Sequence, residues 1–352
     1  MSQKDVSFDP ISRSCTDSEN PLERLTLFKK LLLSIVVLAL LAVVGLSYWA
    51  RQPVFEIGAP IPFTVKPGSG LDSVVQQIAD AGVPVNPELL GVLARLSGKS
   101  GKLKAGSYEI KPGTTPTRLI TQLVRGEFAQ ESLTVIEGWT FRQMRQAIAA
   151  QTSLKHDTAL LSDTELMAKI TPDYTLPEGL FAPDTYLFAK GSSDLQVYKQ
   201  AHALLLKRLN NAWDNRDLSV PYKTPYEALI MASIVEKETG RKAERTNIAG
   251  VFVNRLRLGM LLQTDPTVIY GMGAQYEGRI RKRDLTTDTP YNTYTRSGLP
   301  PTPISLPGDE SLHAAMNPAK TDALFFVARG DGSSHFSSSL GDHNQAVNKY
   351  QR

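Results

Sequence analysis

Leu31 to Ala50 is a run of twenty residues without a charged side chain, about 30 Å long as a helix, which is the thickness of a bilayer's hydrocarbon core. A run of that length confines the chain to one plan, a single spanning helix near the N-terminus with everything after it folding on one side of the membrane. Arg24, Lys29 and Lys30 precede the run and Tyr48 and Trp49 mark its far interface, which places the N-terminus in the cytoplasm; Arg51 works against that bias. A cleaved signal peptide is the competing reading. It is disfavoured by the length of the run and by Tyr48, which would sit three residues before a cleavage after Ala50. Residues 1–30 are polar, mixed in sign and without periodicity, and read as a disordered cytoplasmic tail.

Composition narrows the rest. With 41% hydrophobic and 21% charged residues, the 352-residue chain is ordinary globular material, long enough for two or more domains. The net charge of +4 is small and dispersed, with no basic stripe interleaved with aromatics, so nucleic acid is not a partner. The single cysteine, Cys15, precedes the apolar run. Beyond it neither an intrachain disulfide nor a cysteine metal site is possible.

After the linker Gln52–Pro62, Phe63 to Lys66 alternates as a strand, Pro67 to Gly70 turns, and Leu71, Val74, Val75 and Ile78 recur at helical spacing. A second helix runs from Asn86 or Pro87 to Leu96. Gly106 to Gly113 reads as strand and turn, and Pro116 to Val124 as a short helix opened by its proline. The pattern changes at Ser132, with a boundary near Phe128–Glu131. Leu133 to Ile136 is strand-like, Arg142–Ala150 and the acidic stretch His156–Ile170 read as helices, and a long helix covers Leu195–Arg216.

The stretch that promises chemistry is Met231-Ala-Ser-Ile-Val-Glu-Lys-Glu-Thr-Gly240. A helix opened by Pro225 carries Ala228, Leu229, Met231, Ala232, Ile234 and Val235, and Gly240 should close it. Glu236 and Glu238 then lie in the last turn, facing the negative end of the helix dipole, so helix energetics do not explain them. They stand about 200° apart on the helix. Glu238 continues the row of Met231, Ile234 and Val235, whereas Glu236 follows the smaller row of Leu229, Ala232 and Ser233. The more apolar row raises the pKa of Glu238, as proton donation near neutral pH requires. The bland alternative is a pair of solvated helix-end acids, with Glu238 bridging to Lys242. A second helix follows at once, with Ile248, Val251, Phe252, Leu256 and Leu258 as its stripe.

The run Ala232 to Thr239, with Asn254-Arg-Leu256, Leu262-Gln-Thr-Asp-Pro-Thr-Val-Ile-Tyr-Gly271 and Tyr291-Asn-Thr-Tyr294, resembles the endolytic murein transglycosylases of the MltG (YceG-like) family. The resemblance runs from the apolar segment to the C-terminus. It implies an α+β protein with a cytoplasmic tail (1–30), a transmembrane helix (31–50), a small LysM-like βααβ module (60–128) and a mixed α+β lytic-transglycosylase catalytic domain (132–352). The module's bland alternative is a spacer. The family further implies a lyase held in the cell inner membrane with its C-terminal domains in the periplasm. It would cut the β-1,4 bond between N-acetylmuramic acid and N-acetylglucosamine in nascent peptidoglycan, without cofactor or metal, beside peptidoglycan synthases (penicillin-binding proteins). Glu238 would protonate the leaving oxygen and then deprotonate the muramyl C6 hydroxyl, giving a 1,6-anhydro end and consuming no water.

Around that acid the expected supports are Glu236, in a structural or electrostatic role that raises the pKa of Glu238, and Gln263, Thr264 and Asp265 on a turn whose Asp-Pro step disfavours helix. The alternative for that turn is simple capping by Thr264 and Asp265. Tyr270, Tyr291, Asn292 and Tyr294 belong to the implied cleft. The stretch Glu178-Gly-Leu-Phe-Ala-Pro-Asp-Thr-Tyr186 offers Glu178 and Asp184 as hydroxyl acceptors and Phe181 and Tyr186 as stacking rings; otherwise it is a structural corner. Thr239 places a hydroxyl next to the acid. His335 and His343 lack metal-site spacing and read as structural histidines. Two other functions stay open, a non-catalytic peptidoglycan-binding scaffold and a hydrolytic muramidase using Asp265 or Glu236 as a second carboxylate.

Overall fold

The computed structural model describes residues 21–351. The predicted tail up to residue 20, with Cys15, lies outside them. The first helix, α1 (Pro21–Trp49), starts ten residues before the apolar run, so residues 21–30 are helix and not tail. Its segment Leu25–Trp49 has a mean hydropathy of 2.7 and is largely exposed, Trp49 alone packing on the core that follows, and it is long and apolar enough to cross a membrane.

The chain divides at Phe128–Ala129 into two units. In the first, β1 (Ile61–Val65) is followed by α2 (Leu71–Asp80), α3 (Pro87–Leu96), β2 (Gly106–Ile110) and α4 (Pro116–Arg125). The two strands pair antiparallel, Phe63 opposite Tyr108. Side chains of Asn86 and Thr115 cap α3 and α4 through the amides of Leu89 and Arg118. Phe63, Ile78, Leu90, Tyr108, Leu119 and Leu123 form the core of this unit. Alternate positions of each strand and one stripe of each helix thus meet in one place.

The second unit opens with β3 (Gln130–Thr134), α5 (Phe141–Ala149), α6 (Asp163–Ile170) and β4 (Thr185–Ala189), which pairs antiparallel with β3. Next come α7 (Asp194–Asp214), α8 (Pro225–Glu238), α9 (Arg245–Arg257), α10 (Asp265–Met272), α11 (Lys282–Thr286) and α12 (Asp309–Met316). The hairpin β5 (Phe325–Ala328) and β6 (Ser334–Ser337), followed by α13 (Leu340–Tyr350), completes it. The whole is a mixed α+β fold with one apolar N-terminal helix.

Three expectations change. The acidic stretch from His156 is turns until Asp163, because Ser162 and Glu165 form a reciprocal capping box that fixes the start of α6. The Asp265-Pro266 step opens α10, where a first-turn proline is tolerated. Leu258, expected on the stripe of α9, is 64% exposed, and Arg255 lies buried on that row instead.

Helix α8 is the centre of the second unit, packed on α7, α9, α10 and α12. Every residue from Ala228 to Val235 is buried, so the helix is apolar on all sides, as a helix surrounded by others must be. The two rows that were to distinguish Glu236 from Glu238 are therefore equally buried. Ser233 is tolerated because its hydroxyl donates to the Ile230 carbonyl and accepts from the Ile304 amide at 3.0 Å.

Candidate active site

The two acids at the end of α8 have opposite environments. Glu236 is held at every oxygen: Arg245 Nη2 lies 3.2 Å from Oε1, and the Gly308 amide and Ser311 hydroxyl donate to Oε2 at 3.0 and 2.7 Å. A side chain at Gly308 would displace Glu137, whose Oε1 lies 2.1 Å from where a Cβ would stand. Glu236 thus ties α8 to α9 and to the amide end of α12, where a carboxylate is favoured.

Glu238 faces a cleft of about 650 Å³ with Gln263, Asp265, Tyr294, Arg255, Phe326 and His343 on its walls. Its Oε1 accepts a hydrogen bond from the Thr264 hydroxyl. Burial pushes its carboxyl up to about 7; the Thr264 bond opposes the shift and the charge of Asp265 adds to it. The neighbouring anion is therefore Asp265 and not Glu236, and no ion pair to Lys242 forms. Asp265 is in turn fixed by the Tyr294 hydroxyl, which donates to Oδ1 at 2.6 Å.

The end of α8 is not closed by glycine. Thr239 is extended, with φ −146°, and Gly240 lies outside the left-handed region. The Thr239 hydroxyl accepts from the Arg241 amide at 2.9 Å, so it shapes the exit turn. Opposite, Gln263 is in the left-handed region with φ 52°, a conformation that costs a non-glycine residue about 1–3 kcal/mol. Arg255 holds it there: Nη1 donates to the carbonyls of Leu261 and Leu262 and to Gln263 Oε1, and Nε to the Leu324 carbonyl. Thr293 clamps the same bend, its carbonyl accepting from the Gln263 amide and its Oγ1 from the Thr264 amide. Of the two readings of Thr264, support of the acid or capping of the turn, its hydroxyl serves the first: it is spent on Glu238, and α10 has no side-chain cap.

The other predicted residues fall into two groups. Glu178, Tyr270 and Tyr291 line a second cleft of about 770 Å³. Glu178 is 7% exposed, accepting from the Phe141 amide at 2.9 Å and the Tyr270 hydroxyl at 3.1 Å. Burial raises its carboxyl to about 7, against those bonds. Gly179, at φ +77°, lets the chain turn against Pro303 directly after it.

The remaining four are structural. Phe181 is fully buried and stacks on Phe141; Tyr186 is buried with its hydroxyl on the Ala182 carbonyl at 2.5 Å. Neither ring can meet a sugar face. Asp184 pairs with Arg208 at 2.5 Å. Asn292 is completely buried, donating to the carbonyls of Asp284, Leu285 and Thr287 and accepting from the Tyr294 amide. It fixes the loop that carries Tyr294.

Sequence reading missed Arg255, Thr293 and the wall supplied by Phe325, Phe326, His343 and Asn344. Arg255 left a signal, a charge continuing the row Ile248, Val251 and Phe252. His343 is not the satisfied histidine expected: its ring stacks on Phe325, and among the described residues nothing pairs with its buried Nδ1.

The pattern that defines the YceG-like family matches residues 63–349. A Bacillus subtilis protein named endolytic murein transglycosylase is 31% identical over 309 residues, covering 82% of this chain and 84% of that protein. A Streptococcus pneumoniae protein of the same name is 27% identical over 354 residues, covering 89% of this chain; the match spans 63% of the streptococcal protein. A crystal structure of a yceG-like protein from Listeria monocytogenes, 31% identical, superposes with a TM-score of 0.54 over 81% of this chain and 98% of that one.

Proposed function

The chain belongs to the YceG-like family, and on that premise we propose that it is a membrane-anchored lyase that cuts peptidoglycan glycan strands internally, with Glu238 as its proton-transfer residue. The observation that carries the assignment is a carboxyl raised to about 7 on the wall of an open cleft with a hydrogen bond to one oxygen, from Thr264, whereas Glu178, raised as far, has both oxygens engaged. Glu238 gives its proton to the oxygen of the β-1,4 bond as the bond to muramyl C1 breaks. The C6 hydroxyl of the same sugar closes on C1 and returns its proton to Glu238. Each atom is accounted for and no water enters, so one acid suffices. Gln263 and Tyr294 border the reacting centre, and burial, with the charge of Asp265 adding to it, keeps Glu238 protonated.

Hydrolysis with Asp265 as second carboxylate is the reading to separate, because Asp265 shares the cleft. Glu236 is spent on Arg245, Gly308 and Ser311 and is no candidate. Mass spectrometry of digested strands decides: anhydro ends support the lyase, reducing ends the hydrolase, and intact strands a scaffold.

The acid must be protonated to start the reaction. Turnover is therefore expected to fall as pH rises through about 7, the value to which burial lifts Glu238. Asp265→Asn removes the added anionic push and should move that fall to lower pH. An unchanged alkaline limb in the variant would contradict the role given to Asp265.

We read residues 60–128, with strands β1 and β2 around α2 and α3, as a LysM-like module, and α1 as a single pass that leaves the C-terminal domains in the periplasm of the inner membrane, beside peptidoglycan synthases. The twenty uncharged residues of the run motivate the anchor. The mature protein is expected to retain residues 31–50 and to partition with membranes. A mature N-terminus at or after Arg51 would show a cleaved signal instead.

A further inference from the structure

The cleft beside Glu178 shares no lining residue with the cleft of Glu238, although α10 contributes to both, Asp265 to one and Tyr270 to the other. Five residues of helix, about 7.5 Å of rise, separate those two positions. Its walls carry three tyrosines, Tyr270, Tyr276 and Tyr291, and the amide Gln146. The floor is already fixed. The Tyr291 hydroxyl is 2.8 Å from Thr302 Oγ1, the rings of Tyr270 and Tyr291 meet edge to face at 4.8 Å, and Glu178 is pinned by the Phe141 amide and the Tyr270 hydroxyl.

Glu178 caps α5, which explains its burial. A cap does not explain why amide and aromatic side chains line an open space above it. Both carboxylates of the cleft are already engaged, Asp163 with Arg145 at 2.5 Å and Glu178 with the Phe141 amide and the Tyr270 hydroxyl, and the exposed Arg142 is its one lining cation. Rings with flat apolar faces, set among amides and hydroxyls, suit a polyhydroxyl ligand with an acetamido group.

We infer that the Glu178 cleft is a second saccharide-binding site, which holds N-acetylated sugars of the strand away from the scissile bond. It rests on the proposed function for the identity of the strand. It binds without cutting, since Glu178 has both oxygens engaged and Asp163 is paired. A strand that occupies both clefts crosses α10, so long strands bind better than short ones.

The test uses the full chain in detergent carrying Glu238→Gln, titrated by calorimetry with a tetramer of N-acetylglucosamine. Gln146→Ala and Tyr276→Ala are then added separately, and Tyr270→Phe serves as a variant that keeps its ring. Gln146 is exposed and Tyr276 half-buried, so thermal melts should match the parent. The dissociation constant is expected to rise about tenfold in Tyr276→Ala, the worth of one stacked ring, and severalfold in Gln146→Ala. Affinities within twofold of the parent in all three variants, or no binding of the tetramer by the parent, would overturn the inference. So would a sugar-free stem peptide that binds the parent and is lost in the same variants. The proposed function is read separately: a wild-type protein that releases anhydro ends while these variants bind normally keeps its activity assignment and loses only the second site.

Discussion

Glu238→Gln is expected to leave the protein folded and to lower anhydro-product formation at least about a hundredfold, the usual worth of general acid–base catalysis. The amide keeps an oxygen for the Thr264 hydroxyl and the shape of the side chain, and removes only the proton. Stability supplies an independent check. The folded chain holds the Glu238 proton more tightly than an ordinary carboxyl at 4.5 does, with the folded value at about 7. Wild type therefore loses stability as pH rises between those values, and the amide does not. The variant should melt above wild type at pH 8 and level with it at pH 4. A folded Glu238→Gln protein that still releases anhydro ends would remove Glu238 from the mechanism. One that melts alike at both pH values would show that the carboxyl is not desolvated.

How much of this could be read beforehand differs between the two units. In the first, turn chemistry and periodicity agree at each step: Pro67 to Gly70, Asn86 before Pro87 and Thr115 before Pro116 mark the boundaries found. In the second, the centre of the fold defeats periodicity, because a helix buried on all sides has no stripe. Glu238 is part-buried and without an ion pair, but not because its row is bulkier than that of Glu236. What separates the acids is the partners that come from distant segments, Arg245, Gly308 and Ser311 for Glu236 and Thr264 for Glu238. No local pattern encodes those. Elsewhere a signal was present and passed over: Ser162 with Glu165 is a capping box, and Arg255 interrupts an apolar row. The corner Glu178–Tyr186 looked like a cleft wall by residue type. Its rings Phe181 and Tyr186 are core, since aromatic residues serve both purposes equally well.

Glu236→Gln is expected to unfold the second unit more readily without touching the chemistry directly. Glu236 and Arg245 have side chains only 5% and 6% exposed, so their charges are compensated by each other and not by water. Neutralising the acid strands the guanidinium, whose Nε and Nη1 already find no partner among the described residues. Removing one member of a buried pair costs about 3–5 kcal/mol, which in a domain of this size lowers the melting temperature by on the order of 10 °C. The loss falls on the junction of α8, α9 and α12, so Glu238 is displaced only as α8 loosens. Activity per folded molecule, measured well below the new melting point, should then stay within about tenfold of wild type, far above the level expected for Glu238→Gln. Arg245→Met should be as destabilising as Glu236→Gln, because each strands the other's charge. If Glu236→Gln melts within about 2 °C of wild type and yet yields no anhydro product, the two glutamates have been assigned the wrong way round: Glu236 moves the proton and Glu238 supports it.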